Sequence, residues 1–222
     1  MPDLLTSVFT PFFSLIISMP FILCLLAPLG TIVVNAISGG LAWFGMTTGW
    51  FGVAVIAALW EFLVMSGMHL ALMMPMMADF FETGIISGPM NAGNFATWAC
   101  FGVALGAALR LKNKDDRSTS FAAFASGILG GVTEPTLYGI CFRFTRCFAT
   151  MAVGGFVGGA IAGIFDLKGY AMTSPNFLSL LGYVGGTNAN IAVGVVASFS
   201  SLIVAAVLTY LFGFSKKDLE SV

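Results

Sequence analysis

LLTSVFTPFFSLIISMPFILCLLAPLGTIVVNAISGGLAWFGMTTGWFGVAVIAALW, residues 4–60, runs for 57 residues without Asp, Glu, Lys, Arg or His. A helix needs only about 20 apolar residues to cross a bilayer, so this stretch commits the chain to lipid. Outward from it the pattern repeats, because residues 83–109, 147–165 and 169–215 are equally free of charge. Of the 222 residues 58% are hydrophobic and 9% charged, whereas about a quarter of a soluble domain is charged. The fold class this implies is all-α: a polytopic integral membrane helical bundle whose outer face meets membrane lipid. A net charge of −1 with no basic stripe excludes nucleic acid as a partner.

The amino end, MPDLL, lacks a positive n-region, so the first span is expected to serve as its own insertion signal. Pro20 and Pro28 predict a kink in that span, with a glycine joint at Gly39 and Gly40 leading into the next. A second apolar stretch, about Phe51 to Met73, carries Glu61 and His69, and on one helix the two would lie near one face about two turns apart. A third runs from about Phe95 to Leu109 and ends in RLKNKDDRSTS, which holds Arg110, Lys112, Lys114 and Arg117. Short loops rich in Lys and Arg lie in the cytoplasm, and the carboxyl end, GFSKKDLESV, is the second such cluster. An even number of crossings must then separate residues 118 and 215. The strong candidates are 120–142, 147–165 and 190–214, with a weaker one at 170–189, so either the weak one crosses or a strong one turns back. GILGGVTEPTLYGI, residues 127–140, is the better place for a re-entrant hairpin, since its glycines and Pro135 interrupt a helix at membrane depth. Transporters place substrate sites at such broken helices.

Glu61 and Glu134 stand far from any polar loop, and an intramembrane ionisable residue is a functional-site hypothesis by default. For Glu61 a structural hydrogen bond is the plainer reading. His69, the sole histidine, is either a satisfied core residue or a ligand. Glu134 sits in the broken segment, where its carboxylate can accept from sugar hydroxyls; the alternative is a salt bridge to Arg143 or Arg146. Those arginines are either a cationic lip for a phosphorylated partner or snorkelling anchors. Cys24, Cys100, Cys141 and Cys147 form no CxxC pair and read as buried free thiols. No cofactor and no metal site are expected.

GGVTEPTLYGI, residues 130–140, resembles the Gly-(Ile/Val)-(Thr/Ser)-Glu-Pro-x-(Leu/Ile)-Tyr-Gly-(Ile/Val) signature of enzyme IIC permeases in the glucose superfamily of the phosphoenolpyruvate-dependent phosphotransferase system. Four further pieces are similar to that family in order: TPFFSLIISMPFILCLLAPLG (10–30), VMSGMHLAL (64–72), FGVALGAALRLKNKDDRS (101–118) and FVGGAIAGIFDLKGYA (156–171). The likeness is greatest to the β-glucoside, sucrose and trehalose members. It implies a chain that binds a sugar, a β-glucoside or a disaccharide, and carries it across the bacterial cytoplasmic membrane as a multi-pass permease. Glu134 and His69 would help bind that sugar near the hydroxyl that accepts the phosphoryl group, with Thr133, Pro135 and Gly131 shaping the loop. The pocket would form from segments 60–75 and 130–140 and open to the cytoplasm.

The resemblance also implies a phosphorylated enzyme IIB, separate or fused, as donor, because no cysteine here sits in a Cys-x-Thr-Arg-like loop and nothing resembles an enzyme IIA phosphohistidine domain. No phosphoryl-donor residue is expected in this chain. GICFRFTRCF, residues 139–148, departs from the family by carrying Cys141 and Cys147 where relatives have a polar residue and a proline. Residues 1–214 match the carboxyl-terminal, sugar-binding half of a permease domain, with 215–222 a cytoplasmic tail or linker; the dimerisation half is not matched, and a homodimer is expected where it is supplied. A proton- or ion-coupled secondary transporter using Glu61, His69 and Glu134, and an inactive truncated permease, are the other readings.

Overall fold

The computed structural model describes residues 3–215 and Asp218, without the side chains of residues 3–8, Val34 and Ser38. Most of the 215–222 tail therefore lies outside the described residues.

Apolar runs with no competing polar groups become helices, since helix formation is the one local way to pair every backbone N–H and C=O in lipid. Among the described residues no strand forms, and a lone antiparallel bridge joins Ile86 and Gly169. The stretches Phe9–Thr47, Gly88–Arg110, Arg146–Ile164 and Asn188–Phe212 are long and apolar enough to cross a membrane. The protein is a multi-pass, all-α membrane protein.

The chain divides into two compact units, residues 1–40 and 41–222. The first comprises α1 (Asp3–Phe21) and the beginning of α2 (Ala27–Thr47), joined by a π-helical turn, Ile22–Leu26. Ala27 N–H reaches back five residues to Ile22 C=O, a register shift that sits between Pro20 and Pro28, whose missing N–H groups break the α ladder. Nearly all of its described side chains are exposed, Cys24 included, so the expectation of four buried thiols holds only for Cys100, Cys141 and Cys147. The helix also runs straight through Gly39 and Gly40 and ends at Thr47, because glycine merely weakens a helix that lipid otherwise enforces.

In the second unit α3 (Trp50–Met65), α5 (Ala92–Arg110), α8 (Arg146–Ile164) and α9 (Asn188–Phe212) form the frame, α8 running against the other three. Lipid tails are as apolar as leucine, so burying leucine gives membrane helices little reason to associate, and close backbone approach does. Glycines of α8 supply it on two sides. A Cβ at Gly158 would lie 2.8 Å from Ser201 Cβ and 2.9 Å from Phe95 Cβ, and one at Gly155 would lie 2.7 Å from Ala57 O. The Ser201 hydroxyl, wholly buried, faces the carbonyls of Phe95 (2.5 Å) and Gly154 (2.9 Å), tying α9 to α5 and α8 at one point.

The stretch expected as one helix over Phe51–Met73 is two. Ser66–Met68 separate α3 from α4 (His69–Thr83), and Gly67 takes φ +75°, a left-handed conformation open to glycine but strained for other residues. Glu61 and His69 therefore do not share a helical face; α4 folds back along α3, bringing the His69 ring to 6.4 Å from that of Trp60.

The broken segment turns back as expected. Asn113 caps α6 (Lys114–Gly130) by accepting from Asp115 N–H at 2.8 Å. Gly131–Thr133 form the tip, and a short helix, α7 (Glu134–Thr136), leads into a π-helical return, Leu137–Cys141. The arms meet again at the base, where Arg143 pairs with Asp116. The weaker candidate, 170–189, is a loop around a 3₁₀ turn, Phe177–Tyr183. Two membrane-length helices, α8 and α9, thus separate 118 from 215, and the parity of the two basic clusters is preserved.

Replacing Gly158 with Val should wedge α8 away from α5 and α9 and cost about 1–3 kcal/mol. Gly30→Ala, where nothing lies within 4 Å of an added Cβ, should leave stability nearly unchanged. Melting midpoints of the two variants in one detergent distinguish the sites.

Candidate functional site

Glu61 defines the floor of a cleft of about 440 Å³ enclosed by α3, α4, the start of α5, the hairpin tip and the 169–183 loop. It lies on α3, one of the frame helices, and is only 2% exposed. Its Oε1 is 3.4 Å from the Thr97 hydroxyl, but that hydroxyl is 3.0 Å from Gly93 C=O and has a single proton to give. Oε2 makes no hydrogen bond within 3.5 Å, though the Thr133 hydroxyl of the hairpin tip stands beside the carboxyl. Gly93 matters here because an added Cβ would lie 2.6 Å from Trp60 Cε2, so glycine is what lets the indole lie between α3 and α5.

The hairpin tip forms the facing wall. Gly131 adopts φ +74° with a virtual Cβ only 3.2 Å from the Pro175 backbone, so both conformation and space require glycine. Asn176 holds the tip from the loop, donating through Nδ2 to Leu129 C=O at 2.9 Å while its Oδ1 accepts from Leu178 N–H. Thr133 is buried and caps no helix with its side chain; its C=O accepts from Thr136 and Leu137 N–H, both at 3.0 Å. Glu134 follows at the first turn of α7, exposed and lining the cleft. Pro135 sits where a helix needs no N–H; it sets the turn without lining the cleft.

Of the five residues predicted from sequence, Gly131, Thr133, Glu134 and His69 meet around this one cavity, and Pro135 is not among its lining residues. His69 opens α4, half-buried, with Nδ1 unpartnered. The alternative, a salt bridge from Glu134 to Arg143 or Arg146, is not formed among the described residues, and Arg143 pairs with Asp116 at the hairpin base. Asn94 and Tyr183 had no signal in the sequence: Asn94 Nδ2 donates to Tyr183 OH at 2.9 Å across 89 residues of chain, and Asn94 Oδ1 remains free. The cleft therefore presents two carboxyl groups, an imidazole and an amide oxygen with spare capacity, set among tryptophan and methionine side chains. It is suited to a small, polyhydroxylated guest with one apolar face.

The family model for the phosphotransferase system EIIC matches residues 1–155. The chain belongs to the phosphotransferase-system EIIC family. It is 36% identical over 94% of its length to the PTS system glucose-specific EIIBCA component of Corynebacterium glutamicum, of which it covers 31%. It is 37% identical over 83% of its length to a mannose-specific EIIBCA component of the same species, covering 28% of that protein. To the arbutin-, cellobiose- and salicin-specific EIIBC component of Escherichia coli it is 31% identical over 95% of its length, covering 44%. This EIIC chain thus spans less than half the length of these relatives. No solved structure matches it.

Gly131→Ala should cost about 1–2 kcal/mol for the left-handed backbone alone, lowering the melting midpoint, while Gly130→Ala, one residue earlier in helical conformation, should not.

Proposed function

We infer that this EIIC chain binds a sugar in the cleft between α3, α4 and the hairpin tip and carries it across the bacterial cytoplasmic membrane coupled to its phosphorylation. The observation that carries this reading is the convergence on one cavity of His69 with Thr133 and Glu134, which follow it by more than sixty residues of chain. The basic loop at 110–117 and the carboxyl end lie in the cytoplasm on this reading. The relatives named above are glucose-, mannose- and β-glucoside-type components carrying B modules, which supports a monosaccharide or β-glucoside as the cargo and a phosphocysteine IIB as the donor. Where a dimerisation half is supplied, a second copy is a further partner.

The chemistry asked of the chain is positioning. A sugar hydroxyl oxygen attacks phosphorus, the P–O bond forms as the P–S bond to the donor cysteine breaks, and the thiolate leaves. The hydroxyl proton goes to Glu134 or His69, whichever faces that oxygen. Glu134 is exposed to the cleft and begins a short helix, so its carboxylate accepts from the sugar at little desolvation cost, and charge-assisted hydrogen bonds are about twice as strong as neutral ones. Trp60 and the methionines of α4 give the ring apolar contact along the lining.

Glu134→Gln and His69→Ala should each reduce sugar affinity by at least about tenfold, the value of one lost charge-assisted hydrogen bond, and reduce sugar phosphorylation in vesicles supplied with phosphorylated IIB. Unchanged binding in both variants removes the assignment, and uptake that needs no phosphorylated donor but collapses with an uncoupler replaces it with ion-coupled transport.

A further inference from the structure

Beside the sugar cleft lies a second cavity, of about 500 Å³, where α3 begins and α8 ends, walled also by the last turns of α2, by α4 and by the 3₁₀ turn Gly88–Asn91. From that turn α5 runs to the basic loop at 110–117, so with the loop in the cytoplasm this cavity stands at the extracytoplasmic end of the frame. Its lining joins Met46, Trp50 and Pro75 to Asp79, Ser87 and Asp166, all exposed, the mix of apolar surface and a few polar groups that small-molecule sites use. Met76, Met90 and Asn91 line both cavities and so form the partition between them. Asn91 is 5% exposed and held from behind, its Nδ2 donating to Leu167 C=O at 2.8 Å and to Ile86 C=O at 3.3 Å. Its Oδ1 accepts no hydrogen bond among the described residues, yet keeps accessible surface. The rest of the partition is soft. Methionine side chains are unbranched and readily change shape, and α4, which carries Met76, buries only Leu72 and is bounded by two glycines of positive φ, Gly67 and Gly84, each with nothing within 4 Å of an added Cβ.

We propose that this cavity is a second sugar site, which holds a sugar arriving from outside and passes it between Met76 and Met90 into the cleft, with Asn91 Oδ1 accepting a sugar hydroxyl on the way. A neutral amide oxygen holds a hydroxyl about half as strongly as a carboxylate does, so transfer towards Glu134 runs downhill. The inference rests on the sugar-cleft reading and adds to it a separate first site.

Ser87 is the place to test it, since it lines this cavity and not the cleft, is exposed in extended conformation, and caps nothing with its side chain. In a Cys24→Ser background, which removes the exposed thiol, Ser87→Cys in vesicles should react with a membrane-impermeant maleimide added outside, and glucose should slow that reaction. The glucose concentration that halves the rate should stay the same when Glu134→Gln is added, although that change weakens the cleft itself by at least about tenfold. With phosphorylated IIB inside the vesicles, labelling Ser87→Cys should lower several-fold the ratio of phosphorylation rates for glucose supplied outside and inside; a general loss of structure would lower both rates and leave the ratio unmoved. Absence of protection while glucose still binds the cleft overturns this inference and leaves the cleft standing, as does protection that weakens in step with Glu134→Gln. An unmoved ratio overturns the passage from this site to the cleft. Failure of the unmodified chain to bind or phosphorylate glucose overturns both readings.

Discussion

In a bilayer no water is at hand to pair a backbone group, so each departure from helix must be satisfied by the protein itself at a stake of several kcal/mol. The hairpin tip meets that constraint at several points. Gly131 N–H reaches Gly127 C=O at 2.7 Å, Leu129 C=O accepts from Asn176, and Thr133 C=O accepts from two amides of the return arm. A loop can stand at this depth only because α5, the 169–183 loop and its own return arm surround it. The cleft is the space left beside this turn.

The walls of that cleft are held unequally. The frame of α3, α5, α8 and α9 is locked by glycine contacts and by the Ser201 hydroxyl between two carbonyls, so Glu61 is fixed. By contrast α4 buries only Leu72, and it carries His69. The hairpin is pinned at its tip by Asn176 and at its base by the Asp116–Arg143 pair, an exposed ion pair of the kind worth about 0–1 kcal/mol. The groups proposed to touch the sugar thus sit on three supports of different stiffness.

Much of the frame was legible because lipid makes composition nearly decisive: charge-free windows became helices, and Gly131 with Pro135 marked the turn. The break at Gly67 was not legible, since a single glycine in VMSGMHLAL reads the same whether it continues a helix or takes a positive φ. Gly39 and Gly40 show the converse, two glycines read as a joint through which the helix continues. At the site, Glu134 and His69 could be picked out by their rarity in apolar sequence. Asn94 and Tyr183 could not, because their pairing spans 89 residues and polar residues near loops are ordinary. Glu61 was visible too, and the structural hydrogen bond that is its plainer reading has counterparts in the Thr97 and Thr133 hydroxyls beside it.

The two acids differ in how the fold holds them. Rarity in sequence treats Glu61 and Glu134 alike, yet Glu134 is exposed to the cleft and costs little, whereas Glu61 is buried on the stiff frame with an oxygen unpaired. A ligand reaching both walls of the cleft would join the fixed frame to the hairpin tip. Because a ligand shifts a conformational equilibrium only by its differential affinity for the two states, contacts to Glu61 and Glu134 together would favour whichever hairpin position lets one sugar span them. Recognition and the placement of the turn would then be a single event.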